Sequence, residues 1–141
     1  MTPAAGDPRT GVFLDTSALL AALDREAQRH AAVAEALTQL MRDRVPLVTT
    51  DAVIAELHGL TLGRLGPRIA LDAVDRLLTS PRVRVVGPGP VLDAVEFLRG
   101  RPDRPLSLTD ALSFATMRDL GLTAALALDA DFYAEGFAIL P

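Results

Sequence analysis

Short apolar runs alternate with longer amphipathic segments along most of the chain, and this alternation restricts the fold more than any other feature. Apolar runs bounded by Gly, Pro or Asp are typical of strands that are buried on both faces. The segments between them carry apolar residues at helical spacing. The pattern predicts strands over 12–14, 47–49, 83–86, 123–128 and 137–140, and helices over 18–24, 26–44, 51–64, 68–78, 91–99 and 107–120.

Strands that alternate with helices are typical of a parallel sheet covered by helices on both faces. The chain has 141 residues and half of them are apolar, which suits one domain with one core. We therefore expect a single α/β domain over 1–141: a three-layer α/β/α sandwich with a mainly parallel sheet of four to five strands.

The first eleven residues combine Pro and Gly with no apolar stretch. They lack the apolar region of a signal peptide, and we expect residues 1–11 to form a flexible N-terminal extension. No run in the chain approaches the roughly 18 apolar residues that a membrane span needs. We expect a cytoplasmic protein that makes no membrane contact.

The residue types that are absent exclude several classes of enzyme. The chain has no Cys, which excludes disulfides, thiolate nucleophiles and zinc sites built on cysteine. All 14 cationic residues are Arg, so P-loop nucleotide hydrolysis and Schiff-base catalysis, which need Lys, are excluded as well. The net charge of −4 disfavours a general nucleic-acid-binding protein. It is compatible with an enzyme that acts on nucleic acid through an acidic, metal-charged cleft.

Acidic residues stand where two of the predicted strands end. Asp15 directly follows the strand over 12–14, and Asp129 and Asp131 follow the strand over 123–128. In parallel α/β sheets, ligands bind outside the carboxyl ends of the strands. Each of these acids also suits a local structural role, because Asp is a good helix cap and Asp-Ala-Asp is ordinary turn chemistry. Both interpretations remain open from the positions alone.

Two further acids lie on predicted helices. Asp110 falls in the first turn of the helix over 107–120, three residues after Ser107, which is also the spacing of a capping box. Glu56 borders an apolar stripe on the helix over 51–64. A carboxylate at the edge of a buried stripe needs a partner, and an arginine is the alternative to a shared cation. The stripe consists of Val53, Leu57 and Leu60.

Carboxylates that converge on one cleft repel one another and raise each other's pKa. The chain offers no Lys and only two histidines, His30 and His58, to balance them. A divalent cation is the simple solution, and the hard ions Mg²⁺ and Mn²⁺ suit oxygen ligands. Such an ion acts chiefly on phosphates, where it activates a water and stabilises the oxygens of an in-line displacement. Receiver domains and haloacid-dehalogenase-type phosphatases are disfavoured, since both require a Lys.

Four short segments along the chain carry the candidate acids: FLDTSALL over 13–20, AEL over 55–57, LSLTDALS over 106–113 and ALDADF over 127–132. In this order they resemble the PIN-domain nucleases, and most closely the VapC toxins of bacterial toxin–antitoxin pairs. The resemblance extends from about Gly11 to the end of the chain, and it implies a PIN fold. It also implies a Mg²⁺-dependent endoribonuclease, with Mn²⁺ able to substitute, that hydrolyses RNA phosphodiester bonds.

The resemblance also assigns roles to individual residues. The catalytic residues it implies are Asp15, Glu56, Asp110 and Asp129, of which Asp15, Asp110 and Asp129 would bind the metal. The candidates for a second layer around the metal are Thr16, Ser17, Thr109 and Asp131. The implied partners are an RNA substrate, a VapB-type antitoxin whose tail blocks the cleft, and a second copy of the chain in a homodimer.

An acidic nuclease must bind RNA through local arginines, and five of them lie around two predicted loops, the Gly66–Pro67 turn and the stretch before Ser107. The alternative for each is an ordinary solvated surface residue. Two other functions also stay open: a housekeeping PIN-domain nuclease that processes RNA, and a non-catalytic PIN-fold binding module. The RNA target, whether tRNA, rRNA or mRNA, is equally open. The five candidates are Arg64, Arg68, Arg99, Arg101 and Arg104.

Overall fold

The computed structural model describes residues 10–141, and this range contains five strands and seven helices. Residues 1–9 of the extension predicted over 1–11 lie outside the described residues. Gly11 is buried at φ 116° beside Leu122 and Pro46, a left-handed conformation that favours glycine. The elements are β1 (Val12–Leu14), α1 (Thr16–Leu23), α2 (His30–Arg42), β2 (Leu47–Thr50), α3 (Asp51–Leu65), α4 (Pro67–Thr79), β3 (Val83–Val86), α5 (Val91–Arg99), α6 (Leu108–Leu120), β4 (Ala124–Leu126), α7 (Asp131–Ala134) and β5 (Ala138–Leu140).

The five strands form one parallel sheet in the order β3-β2-β1-β4-β5. Phe13 of the central strand β1 pairs with Val48 of β2 on one side and with Ala125 of β4 on the other. Every residue of β1, β2 and β4 is buried, which requires helices on both faces of the sheet. The predicted three-layer α/β/α sandwich with a parallel sheet is confirmed.

The strand order reverses beside β1. The chain adds β2 and β3 on one side of β1, and then β4 and β5 on the other. Such a reversal opens a crevice at the carboxyl ends of the strands, which is where α/β proteins bind their ligands. The backbone N–H of Asp15 donates to the carbonyl of Leu126 at 3.0 Å, so β1 and β4 end side by side at this crevice.

Aromatic packing fixes the helices that border the crevice. Phe114 of α6 meets Phe132 of α7 edge to face, with ring centroids 4.9 Å apart, and Phe132 lies 6.2 Å from Phe13 of β1. All three rings are fully buried. Aromatic pairs in these geometries add to the stability that comes from their buried area. The cluster therefore holds the first turns of α6 and α7 in fixed positions relative to the end of β1.

The prediction of a long second helix over 26–44 is wrong at its start. Helix α2 begins only at His30, because Asp24 ends α1 and organises a turn. The Asp24 side chain accepts from the backbone N–H of Glu26 at 3.0 Å, and the Asp24 carbonyl accepts from the backbone N–H of Ala27. The stripe predicted on α3 also differs, since Leu60 is 43% exposed and Thr61 is buried in its place.

The strand predicted over 123–128 is shorter, and a helix follows it that the sequence pattern did not predict. β4 ends at Leu126 because the backbone N–H of Leu128 donates to Ser17 Oγ at 3.0 Å instead of extending the strand. The four-residue helix α7 is too short to show a periodic pattern. No helix within residues 10–141 is both long enough and apolar enough to span a membrane.

Candidate metal centre

Asp15 caps helix α1 and is almost completely buried, with 3% of its surface exposed. Its Oδ2 accepts from the backbone N–H of Ser17 at 3.1 Å and from Ser17 Oγ at 2.5 Å. Burial raises the pKa of Asp15 from 3.8 to about 6, and the negative charge of Asp110 contributes to the rise, although the bonds from Ser17 oppose it. The capping role expected for this residue is thus present, but it leaves a carboxylate in a poorly solvated place beside another acid.

Three acids from two neighbouring segments meet at the crevice. Asp110, Asp129 and Asp131 are each half-buried, and they offer one carboxylate oxygen apiece within 4.8 Å of one another. Partial burial raises the pKa of Asp129, and the charges of Asp131 and Asp110 raise it further. Asp15 lies next to this group, since the negative charge of Asp110 contributes to the raised pKa of Asp15. The arrangement concentrates negative charge that a divalent cation would neutralise.

Local hydrogen bonds orient the carboxylates of two of the three acids, Asp110 and Asp129. Asp110 and Ser107 form a reciprocal capping box at the start of α6, with both bonds 3.0 Å long. Asp129 Oδ1 accepts from the backbone N–H of Asp131 at 2.9 Å, which is the turn that the sequence predicts. A carboxylate has about four lone-pair sites on two oxygens, so each acid keeps acceptor capacity beyond these bonds. These hydrogen bonds therefore fix the orientation of the carboxylates and leave acceptor positions free for a ligand.

The hydroxyls named as second-layer candidates take different positions. Ser17 Oγ connects the ends of two strands, since it donates to Asp15 and accepts from the N–H of Leu128. Thr16 is buried, and its Oγ1 has no hydrogen-bond partner. Thr109 is half-buried beside Asp110 in the first turn of α6. A buried hydroxyl without a partner is costly, so Thr16 fits a site that gains a further polar ligand.

Glu56 lies apart from the three-acid group. It is half-buried in the second turn of α3, the helix that begins at the carboxyl end of β2. Within residues 10–141 it takes part in no salt bridge, so the arginine partner considered as an alternative does not occur there. The helix places Glu56 near the same end of the sheet as the other acids, but not in contact with them as one cluster.

Glu135 binds arginines next to the three-acid group, and no sequence pattern predicts this role. Its side chain is 8% exposed and accepts from Arg104 Nη1 and from Arg118 Nη2, the latter at 2.8 Å. Burial alone would raise its pKa, but the two arginines lower the pKa of Glu135 below its ordinary value. Arg104 also reaches Asp131 Oδ1 at 3.4 Å. Asp131 is therefore linked to a cationic group on one side and to Asp129 on the other.

Comparisons with known proteins agree with the fold and with the acidic site described above. The PIN domain family model matches residues 12–137, which is nearly the whole chain. The chain belongs to the PIN-domain family. Among curated relatives, the "23S rRNA-specific endonuclease VapC20" of Mycobacterium tuberculosis is 36% identical over 128 residues, which cover 89% of this chain and 95% of that protein. The prediction of a VapC-type PIN-domain enzyme is confirmed.

Solved structures show the same fold. The crystal structure of Mycobacterium tuberculosis VapC20, described as a sarcin–ricin loop cleaving toxin, superposes with a TM-score of 0.81 at 32% identity, covering 93% of this chain and all of that one. FitAcB from Neisseria gonorrhoeae gives 0.62 over 92% and 96% of the two chains. VapBC-1 from nontypeable Haemophilus influenzae gives 0.61 over 91% and 95%. The last two are 18% identical to this PIN domain and share its fold.

The predicted RNA-binding arginines of this PIN domain fall into two groups. Arg101 and Arg104 are engaged by Glu135, and Arg101 also lies 3.7 Å above the ring of Phe97. Arg99 pairs with Glu96 on the exposed face of α5. Arg64 and Arg68 are exposed and form no salt bridge within residues 10–141. Of these five arginines, Arg64 and Arg68 keep their full charge available to a ligand.

The raised pKa of Asp15 leads to a prediction about stability in the absence of metal. Its folded pKa of about 6 lies above the unfolded value of 3.8, so its contribution to the free energy of unfolding falls as pH rises through that window. The difference corresponds to about 3 kcal/mol. We expect Asp15→Asn, which keeps the cap, to raise the melting temperature in EDTA at pH 7, and to lose this advantage below pH 4.

The exposed Asp103 supplies the matched control, because Asp103→Asn removes the same charge outside the site. Its melting temperature should follow that of the wild type at both pH values. If Asp15→Asn melts below the wild type at pH 7, the charge of Asp15 is stabilising and the account of a strained, cation-dependent site is wrong.

Proposed function

We propose that this PIN domain is a divalent-metal-dependent endoribonuclease, the toxin of a VapBC-type toxin–antitoxin pair, and that 23S rRNA is its substrate. The observation that carries the proposal is the convergence of Asp110, Asp129 and Asp131 beside the buried Asp15 at the switch point of the sheet. We infer the substrate from VapC20 of Mycobacterium tuberculosis, a 23S rRNA-specific endonuclease that matches this chain over nearly its full length.

The donor set fits a hard divalent cation. All the candidate ligands are carboxylate oxygens, which suit Mg²⁺ and Mn²⁺ better than softer metals. Zinc and copper sites favour thiolate and imidazole ligands, and the chain has no Cys. Neither His30 nor His58 belongs to the group of side chains within residues 10–141 that could hold a metal ion together. We assign the cation to Asp15, Asp110 and Asp129, and we add Asp131 as a fourth candidate ligand.

The chain's own residues would orient the ligands of that site and accept a proton during hydrolysis. A bound Mg²⁺ or Mn²⁺ would supply charge neutralisation at the scissile phosphate and a more acidic water. Ser17 holds the rotamer of Asp15, and Ser107 holds that of Asp110, so that neither carboxylate must reorganise. Glu56, which forms no salt bridge within residues 10–141, is our candidate for the carboxylate that accepts a proton during hydrolysis.

The partners we propose are a VapB-type antitoxin and a second copy of the chain. Support comes from membership of the VapC type and from apolar side chains that are left on the surface, which mark interaction sites when they form patches. Leu71 and Leu78 of α4 are 57% and 58% exposed, and Leu92 of α5 is 84% exposed. We place the protein in the cytoplasm, where a 23S rRNA substrate is found.

The proposed activity requires a metal. We expect the purified protein to cut 23S rRNA in Mg²⁺ or Mn²⁺, to lose this activity in EDTA, and to regain it when either ion is restored. Asp110→Asn should remain inactive in all three conditions, because it removes a charged ligand. Mapping the cut ends by primer extension measures the activity and locates the site. The cation should also raise the melting temperature of the wild type by mass action.

Asp119→Asn is the control for this experiment, since Asp119 is an exposed acid on the same helix as Asp110 and lies in its last turn. It should cut at the wild-type rate. Cleavage that persists after exhaustive chelation would contradict the proposal and would indicate a metal-free ribonuclease that relies on His30 or His58.

Glu56 provides a separate test, because a proton acceptor and a purely structural residue would affect cleavage and stability differently when substituted. We expect Glu56→Gln to reduce the cleavage rate by about 10²-fold, as for the loss of a general base. The free energy of unfolding should change by no more than about 0.5 kcal/mol, because no salt bridge within residues 10–141 is broken. Single-turnover cleavage and thermal melting measure the two effects.

Glu35→Gln, on the exposed face of α2, is the matched control and should change neither quantity. A large loss of stability in Glu56→Gln together with wild-type cleavage would show that Glu56 is a structural residue and that the site works without it.

A further inference from the structure

A cleft of about 300 Å³ opens next to the carboxylates and is lined by cationic side chains without acidic ones. Arg29, at the start of α2, and Arg64, in the last turn of α3, lie along it. Both are exposed, and neither forms a salt bridge in the described part of the chain. Their charges therefore remain available to a ligand, unlike those of the arginines bound by Glu135.

The cleft adjoins the candidate metal centre. Ser17 and Leu128 line it, and these two residues hydrogen-bond to each other where β1 and β4 end. Ser17 also donates to Asp15, while Leu128 directly precedes Asp129. A strand of RNA whose phosphate lies at the carboxylates can therefore run directly into this cleft.

The lining suits a nucleotide rather than a bare ion. Leu20 and Ala21 supply an apolar wall for a ribose or a base, and Gln28 supplies an amide that both donates and accepts. Guanidinium groups bind phosphate with two parallel hydrogen bonds, and phosphate contacts position RNA without reading its sequence. The volume lies at the lower end of the range for small-ligand pockets.

We propose that Arg29 and Arg64 bind a backbone phosphate of the RNA next to the scissile one, with the adjoining sugar in the apolar part of the cleft. This subsite rests on the proposed nuclease function and extends it. Its role is binding and alignment, so its loss should weaken RNA affinity and leave the cleavage rate at saturation unchanged. It would also allow a protein of net charge −4 to hold a polyanion at one place.

The test measures RNA binding and cleavage separately, with a 23S rRNA stem-loop that contains the sarcin–ricin loop as the probe. Binding is followed by fluorescence anisotropy in EDTA over a range of KCl concentrations. We expect Arg29→Ala and Arg64→Ala each to raise Kd about 10-fold, and to reduce the slope of log K against log salt by about 1 per arginine. Single-turnover rates at saturating protein in Mg²⁺ should stay within about twofold of the wild type.

Arg42→Ala is the matched control, since Arg42 is an exposed arginine in the last turn of α2 that forms no salt bridge within residues 10–141 and does not line the cleft. It should change Kd by less than about twofold, and Arg64→Lys should recover most of the salt slope. Equal losses in Arg64→Ala and Arg42→Ala, or unchanged Kd in both cleft variants, would overturn the subsite. Because binding is measured without metal, these results are independent of whether the wild type cleaves RNA.

Discussion

Parallel pairing between β1 and β4 brings together segments of the chain that carry the acidic site. The N–H of Asp15 bonds to Leu126 at the end of β4, and Ser17 bonds to Leu128, which is 111 residues away in sequence. Without this pairing, Asp15 would be no more than the cap of a short helix. With it, the reversal of strand order at β1 becomes a crevice whose rim carries carboxylates.

Electrostatic strain is the consequence of that geometry. Burial and the nearby charge of Asp110 raise the pKa of Asp15 to about 6, and similar effects raise the pKa of Asp129. The fold tolerates this strain because each acid also forms local hydrogen bonds, and because Glu135 holds cationic groups behind the cluster. Functional sites are often regions where stability is lost in exchange for activity. Here the cation is the component that would remove the strain.

Much of the fold follows from local sequence, since Gly, Pro and capping residues mark the ends of its elements. The predicted bounds of β1, β3 and α5 agree with the structure, and Ser107 and Asp110 form the capping box that their spacing indicates. The sequence could not show interactions between distant segments. The bond from Leu128 to Ser17 shortens β4, and Glu135 meets Arg104 across 31 residues.

The same distinction applies to the site. The strand-end position of Asp15 was visible in the sequence, whereas the entry of Asp131 into the three-acid group depends on the turn that precedes α7. The placement of Glu56 apart from that group depends on how α3 packs, and the exposed Leu60 does not belong to the buried stripe that the sequence predicts for this helix. Side-chain spacing within one helix is predictable, but the distance between two helices is not.

The proposed function depends on a divalent cation bound by these carboxylates. The most direct test is a crystal structure of the protein soaked in Mn²⁺, with anomalous scattering recorded near the manganese absorption edge. We expect a single strong anomalous peak between the carboxylates of Asp110 and Asp129, within ligand distance of both, and no such peak in crystals of Asp110→Asn. Anomalous density at other surface acids, with none between Asp110 and Asp129 at saturating Mn²⁺, would contradict the account.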